Sequence, residues 1–293
     1  MKVLVTGAKG QLGYDVLAEL EKRNHEAVGV DILEMDITDE KSVESVIGTI
    51  KPDAVIHCAA WTAVDKAEEY PDKVYAVNAT GTKYIANVCK KLECKMMYIS
   101  TDYVFNGQGD KPWESDCKDY QPINVYGQTK LEGELAVANT VKEYFIVRIA
   151  WVFGVNGNNF IKTMLNIGKK FDTLRVVNDQ IGTPTYTLHL ARLLVDMIET
   201  DKYGYYHATN EGGYISWYEF ACEIFKQAVE SGHLEYSKDR LEVKAVTTEE
   251  YGLSKAKRPF NSRLDKSKLV ENGFLPLPEW KEALSHYLNT IEF

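Results

Sequence analysis

The stretch VTGAKGQLG, residues 5–13, places Gly7, Gly10 and Gly13 directly after the apolar run KVLVT (2–6). A helical pattern follows at once, with Val16, Leu17 and Leu20 on one face. Such a turn needs backbone without Cβ, so that peptide N–H groups and a helix N-terminus can approach a pyrophosphate closely. The spacing is GxxGxxG rather than GxGxxG, and a glycine triplet alone is a weak signal. The context carries the reading: a strand precedes, a helix follows, and Asp31 ends the next strand-like run, EAVGVD (26–31). Asp31 is placed to accept hydrogen bonds from an adenosine ribose. It would repel a 2′-phosphate, which favours NADH. Lys9 within the loop is either a solvated charge or a partner for that phosphate, so NADPH stays open as a second cofactor.

Working outward, apolar strand-like runs alternate with helical stretches through residue 150. PDAVIHCAA (52–60), KMMYIST (95–101) and YFIVRIA (144–150) read as strands, and 71–92 and 126–139 as helices. Fully apolar strands alternating with helices predict an α/β, Rossmann-like, doubly wound parallel sheet covered on both faces. After about residue 150 the pattern loosens. Helical stretches are predicted near 158–170, 187–200, 216–230 and 279–291, with short strands LRVV (174–177) and LEVKAV (241–246) between them. SWYE (216–219) is a capping box that starts its helix. Trp280, Ala283, Leu284, Tyr287 and Leu288 follow helical spacing behind Pro278. The expected division is a dinucleotide-binding domain over 1–150 and a smaller, interleaved α/β substrate lobe over 151–293.

The bulk properties narrow the function classes. The 293 residues, 45% hydrophobic and 26% charged, suit a globular protein with a sizeable core. A net charge of -9 argues against nucleic-acid or anionic-membrane partners. No apolar segment reaches the roughly 18 residues that a membrane span needs. The five cysteines form no CxxC pair and the six histidines no HExxH, so neither a disulfide framework nor a catalytic zinc is expected. Together these features predict a cytoplasmic protein.

The chemistry-bearing candidates are Tyr126 and Lys130 in NVYGQTKLEGE (124–134). Residues four apart share a helical face. A free tyrosine titrates near pH 10, and a neighbouring ammonium stabilises its phenolate, which would bring that value down toward working range. YISTDYVFNG (98–107) places Ser100, Thr101 and Asp102 at the C-terminal end of a strand, the edge where open parallel sheets bind ligands. A hydroxyl there would share a substrate carbonyl oxygen with the tyrosine. YxxxK alone is a weak motif; its company of glycine loop, acidic ribose partner and strand-end hydroxyl gives it weight.

TGxxGxxG, HCAAWTAVDKAE (57–68), VNATGT (77–82), STDYVFNG and YGQTK together resemble the extended short-chain dehydrogenase/reductase superfamily. STDYVFNG, INVYGQTKLEGE, RIAWVFG, NNFIKTML, VVNDQIGTPTYT and RPFNSRLD are similar to dTDP-4-dehydrorhamnose reductases over almost the whole chain. The resemblance implies a dTDP-sugar substrate whose C4 ketone is reduced by NAD(P)H, with Tyr126 the proton donor, Lys130 its helper and ribose ligand, and Thr101 the hydroxyl that orients the carbonyl. It further implies Gly10, Gln11 and Leu12 along the pyrophosphate, Asp31, Asp36 and Ile37 around the adenosine, and Ala59, Ala60 and Trp61 along the cofactor. Trp61 stands where many such reductases have histidine. Asn78 has two readings, a support of the site through the long helix or a capping amide. Asp102 and Trp151 would contact the sugar nucleotide, Trp151 being alternatively a core aromatic between the lobes. Arg258 and Arg263 suit a diphosphate, since guanidinium binds phosphate bidentately.

Two rivals share the resemblance. Nucleotide-sugar epimerases and dehydratases carry the same YxxxK pair, but dehydratases have Asp-Glu after the strand-end threonine, where this chain has Asp102 and Tyr103. The regulatory subunit of some methionine adenosyltransferases is a non-catalytic relative, against which the complete Thr101, Tyr126 and Lys130 set argues. The family resemblance also implies a homodimer in many members, with a divalent metal (Mg2+) at the interface of some. Asp15 is the acidic candidate for it, and is read here as a favourable charge in the first turn of its helix.

Overall fold

The computed structural model describes residues 1–292. Its centre is a six-stranded parallel sheet built from β1 (Lys2–Thr6), β2 (Glu26–Val30), β3 (Ala54–His57), β4 (Lys95–Thr101), β5 (Tyr144–Ile149) and β6 (Gly204–His207). The strand order is β6-β5-β4-β3-β1-β2. Every neighbouring pair is parallel. The chain moves outward from β1 to β2, then jumps back to β3 and runs the other way. The loops after β1 and β3 therefore diverge and leave a crevice at the C-terminal edge, where such sheets bind ligands.

Each strand is apolar on both faces because both are covered. Val3, Val5, Ala54, Ile56, Met97 and Ile99 pack on one side with α1 (Gln11–Lys22) and the helix Thr187–Ile198. Leu4, Val55, Met96 and Tyr98 pack on the other with α2 (Glu40–Ile50) and α3 (Thr82–Leu92), Val137 of α4 (Val125–Thr140) joining them. The alternation Val3/Leu4/Val5 is the period of two that a pleated strand imposes.

The predicted helix over 71–92 is one path of three segments: an α-helical Pro71–Tyr75, a wide π segment Ala76–Gly81, then α3. Pro71 sits at the helix start, where its missing N–H costs nothing. Thr82 donates its hydroxyl to the Asn78 carbonyl (2.7 Å), a side-chain bond to backbone inside the widened turn. α5 (Trp217–Glu230) starts at the expected capping box, Ser216 accepting from the Glu219 N–H while Glu219 accepts from the Ser216 N–H. A second apolar cluster joins Phe153, Ile161 and Leu165 to Phe220, Ile224 and Trp280, Leu284 and Tyr287 of the C-terminal helix.

β6 is absent from the sequence reading, and it lies beyond residue 200 although it completes the central sheet. Asp15 also differs from its reading. It is the fifth residue of α1, outside the first turn, and it is buried. Burial pushes its carboxyl pKa up, against a smaller opposing effect of Thr187. Among the described residues no group of three or more His, Cys, Asp or Glu side chains is arranged to hold a metal ion. No helix among the described residues is long and apolar enough to cross a membrane.

Candidate active site

A cavity of about 860 Å³ opens at the C-terminal edge of the sheet. One arm is the glycine turn. Gly7 has φ of +65°, and a Cβ there would stand 2.7 Å from the Ala59 nitrogen, so the turn closes tightly on the loop after β3. A Cβ at Gly13 would stand 2.2 Å from the Gly7 oxygen. Helix α1 thus begins against the loop itself. Gly10 caps it without a side-chain bond, which leaves its first N–H groups, at Gln11 and Leu12, free to meet an anion. The residues present fit a dinucleotide: a cradle that any Cβ would fill, a helix start, and Asp31 just past β2.

The adenosine end is more acidic than expected. Asp31 accepts from the Lys9 N–H (3.1 Å) and the Ile32 N–H (2.9 Å). The Lys9 ammonium turns to Glu34 (3.3 Å) rather than standing free, and Glu34 also accepts from the Asp31 N–H.

The other arm holds the tyrosine–lysine pair. Asn124 caps α4, accepting from the Gly127 N–H at 2.7 Å, so Tyr126 enters in the first turn and Lys130 one turn later. Lys130 is buried, donates to the Ile99 carbonyl (2.7 Å) and lies 4.0 Å above the Tyr98 ring. Desolvation lowers its pKa to about 7, with Glu134 acting in the opposite sense. The expected fall in the Tyr126 pKa is not what the structure shows. Tyr126 opens to the cavity, yet burial pushes its pKa up, and the Thr101 hydroxyl only partly counters this. The phenol therefore holds its proton at neutral pH.

Thr101 donates to Asp102 Oδ1 (2.9 Å) and accepts from the Tyr103 N–H (3.3 Å). Asp102 is buried, its Oδ2 has no partner among the described residues, and burial raises its pKa to about 6. Beneath the site, Glu134 and Arg148 form a fully buried bidentate pair, both bonds 2.8 Å. Arg148 also donates to the Ser115 carbonyl (3.1 Å) and the Tyr120 hydroxyl (3.0 Å). Behind the glycine turn, His57 bridges Thr6 (2.6 Å) and Thr82 (3.0 Å). Thr82 already donates to Asn78, so it accepts from Nε2–H, while Nδ1 takes the Thr6 proton. Burial and the Lys130 charge hold this neutral imidazole near a pKa of about 3.

The cavity brings together Gly7, Gly10, Gln11, Leu12, Gly13, Asp31, Asp36, Ile37, Ala59, Ala60, Trp61, Thr101, Asp102, Tyr126, Lys130, Trp151 and Arg258. Two candidates lie outside its lining. Asn78 is buried behind it, accepting from the Trp61 N–H (2.8 Å) and donating to the Trp61 carbonyl and to Thr129 (3.1 Å each). It ties the cofactor-side loop to α4. Arg263 turns away and donates to Asn261 (3.0 Å). Tyr103 and Trp217 line the cavity without having been singled out. Trp217 stacks on Trp151 with ring centroids 3.7 Å apart. Trp151 itself has φ of +52°, a strained backbone for a bulky residue.

The model for the RmlD substrate binding domain matches residues 1–293. A dTDP-4-dehydrorhamnose reductase of Aggregatibacter actinomycetemcomitans is 40% identical over 293 residues, 97% of each chain. This chain belongs to the dTDP-4-dehydrorhamnose reductase family. Another relative, the spore coat polysaccharide biosynthesis protein SpsK of Bacillus subtilis, is 41% identical, covering 98% of this chain and 96% of its own. The solved Bacillus anthracis dTDP-4-dehydrorhamnose reductase, in complex with NADP, is 40% identical with a TM-score of 0.91, covering 99% of this chain and 100% of that one. Family membership makes the chain an NAD(P)H-dependent oxidoreductase.

Proposed function

We propose that this chain reduces the C4 ketone of dTDP-4-dehydro-β-L-rhamnose to dTDP-L-rhamnose. The observation that carries this reading is that Tyr126, Lys130 and Thr101 sit in the same cavity as the glycine cradle, beside Trp151 and Arg258. A reduced nicotinamide, when bound, supplies the hydride. Gln11 and Leu12 N–H groups hold the pyrophosphate, and Asp31, Asp36 and Ile37 border the adenosine. Tyr126, kept protonated by its surroundings, gives its proton to the carbonyl oxygen, and the Lys130 cation lowers the cost of the phenolate left behind. Thr101, placed by Asp102, orients that oxygen by turning its hydroxyl proton from Asp102 to the substrate. Residues after 150 supply Trp151 and Arg258 to the sugar-nucleotide side, which is the sense in which 151–293 acts mainly as a substrate lobe. Asn78 works by position, since it touches Trp61 and Thr129 rather than the cavity.

NADH is accepted at least as well as NADPH in this reading. Lys9, the cation of the glycine loop, is paired with Glu34, and Asp31 stands beside it. A tenfold or greater advantage of NADPH in kcat/KM would overturn this preference. The main test follows loss of reduced-nicotinamide absorbance with dTDP-4-dehydro-L-rhamnose. Rapid oxidation by the wild type, and a loss of roughly a hundredfold or more in Tyr126→Phe, is the expected result. A wild type that binds NADH but does not turn over this sugar would point to another nucleotide sugar or to a partner-protein role.

A further inference from the structure

The segment after the strand Glu242–Val246 reaches the cavity at Arg258 and is pinned by one side chain from the other half of the chain. Asp65, in the short helix Val64–Ala67 after β3, uses both carboxylate oxygens. Its Oδ1 accepts from the backbone N–H groups of Lys255 (3.1 Å) and Ala256 (3.0 Å). Its Oδ2 accepts from the Arg258 guanidinium at 2.7 Å. Arg258 in turn donates to the Tyr103 hydroxyl at 3.2 Å, and Tyr103 meets the Tyr126 ring edge-on, centroids 5.4 Å apart. The same segment rests on the cap of the catalytic helix, where Asn124 donates to the Lys257 carbonyl (2.8 Å). Arg258 faces the cavity; Asp65 does not.

We propose that Asp65 is a positioning residue for the anionic half of the sugar nucleotide: it fixes the 255–258 strap and presents Arg258, braced on Tyr103, to the diphosphate. This rests on the nucleotide-sugar reading of the cavity and deepens it. The argument is one of pre-organisation. An arginine left free must lose its rotamer freedom when a diphosphate binds, and an arginine already fixed has lost it beforehand. Arg258 spends two of its five N–H donors on Asp65 and Tyr103, which leaves the rest of the fork for phosphate oxygens. Tyr103 accepts from Arg258, so its own hydroxyl proton stays free to be donated. The side chain of Asp65 is 41% exposed and that of Arg258 24%, and a pair this open to water contributes little to stability. Asp65 therefore acts on what Arg258 can bind more than on whether the chain folds.

The test measures calorimetric affinity for dTDP and for thymidine, which lacks the diphosphate, in wild type, Asp65→Ala, Arg258→Ala and the double variant. The expected result is a loss of about tenfold or more in dTDP affinity for Asp65→Ala, with thymidine and NADH binding within about twofold of wild type. In the Arg258→Ala background the second change adds less than about twofold, because Asp65 acts through that guanidinium. In turnover, KM for the sugar nucleotide rises while kcat holds within about threefold. Equal dTDP affinity in wild type and Asp65→Ala overturns the proposal and leaves the reductase reading standing, as do additive losses in the double variant. A parallel loss of thymidine and NADH binding assigns Asp65 to plain structural support and overturns it too. A wild type that does not bind dTDP removes both readings together.

Discussion

Replacing Gly13 by alanine adds one carbon where the loop and helix α1 touch. That carbon would stand 2.2 Å from the Gly7 oxygen, 2.8 Å from the Gly7 carbonyl carbon and 3.1 Å from Ala8 Cα, all of them backbone. Ordinary contact begins at 3.4 Å, so loop and helix must part by about 1.2 Å. The N–H groups proposed to meet the pyrophosphate move with the helix, and a misplacement of about 1 Å at such a site is worth roughly a hundredfold. The cofactor Kd is therefore expected to rise about a hundredfold, or about 2.7 kcal/mol. Stability responds less. The overpacking costs about 1–3 kcal/mol, and alanine in place of glycine in a helix returns about 1 kcal/mol. Gly48→Ala is the matched control, since nothing lies within 4 Å of its added carbon in α2. It is expected to stabilise the chain by about 0.5–1 kcal/mol without changing cofactor affinity. The assay is quenching of tryptophan fluorescence by NADH, read from Trp61, Trp151 and Trp217 around the cavity. Wild-type affinity in Gly13→Ala would refute the close approach of loop and helix as the basis of the cradle.

Tyr126→Phe is expected to lower kcat by roughly 10²–10⁴ while NADH affinity stays within threefold, checked by single-turnover kinetics beside a binding titration. Glu134→Ala strands the Arg148 charge in the interior and is expected to cost about 3–5 kcal/mol of stability, seen as a lower urea midpoint with an unchanged m-value. Acid should weaken the fold before its exposed carboxylates titrate. His57 and His207 are buried neutral with pKa values below the usual 6.5, so the unfolded chain binds more protons than the folded one as pH falls below 6.5. Asp102, raised from 3.8 to about 6, opposes one of them between pH 6 and 4. His189, held by burial near a pKa of about 4, adds a further proton that Asp15, raised by burial, partly offsets. The remainder is about one to two protons, or about 1.4–2.7 kcal/mol lost per pH unit. A stability that stays flat from pH 6.5 to 4.5 would contradict this.

What the sequence made legible followed local physics. β1 and β4 appear at the residues read for them, because strands buried on both faces are continuous apolar runs. The Ser216 box marks a helix start through bonds confined to four residues. β6 escaped because GYYH is short and unpatterned; only pairing with Phe145–Arg148, far away in sequence, makes it a strand. Trp217 escaped for a related reason. Its capping box says where α5 begins, while the stacking that turns the indole to the cavity is tertiary. The Tyr126 shift was read with the wrong sign because a motif shows a nearby ammonium but not the desolvation around the phenol. Arg258 and Arg263 are indistinguishable in sequence, and only the positions of Asp65 and Asn261 send one to the cavity and the other away from it.

The place of β6 at the edge beside β5 has a consequence for how the chain is made. When a ribosome has released the first 150 residues, β5 presents its open edge, and Arg148 lacks the cover of His207, which lies 3.3 Å from it in the finished fold. An unpaired apolar strand edge is a template for other chains. The nascent protein must carry that hazard for more than fifty further residues, until Gly204–His207 arrives to close the sheet. A truncation at residue 150 should accordingly aggregate rather than yield a free-standing nucleotide-binding module, and synthesis should call on chaperones in the interval between β5 and β6.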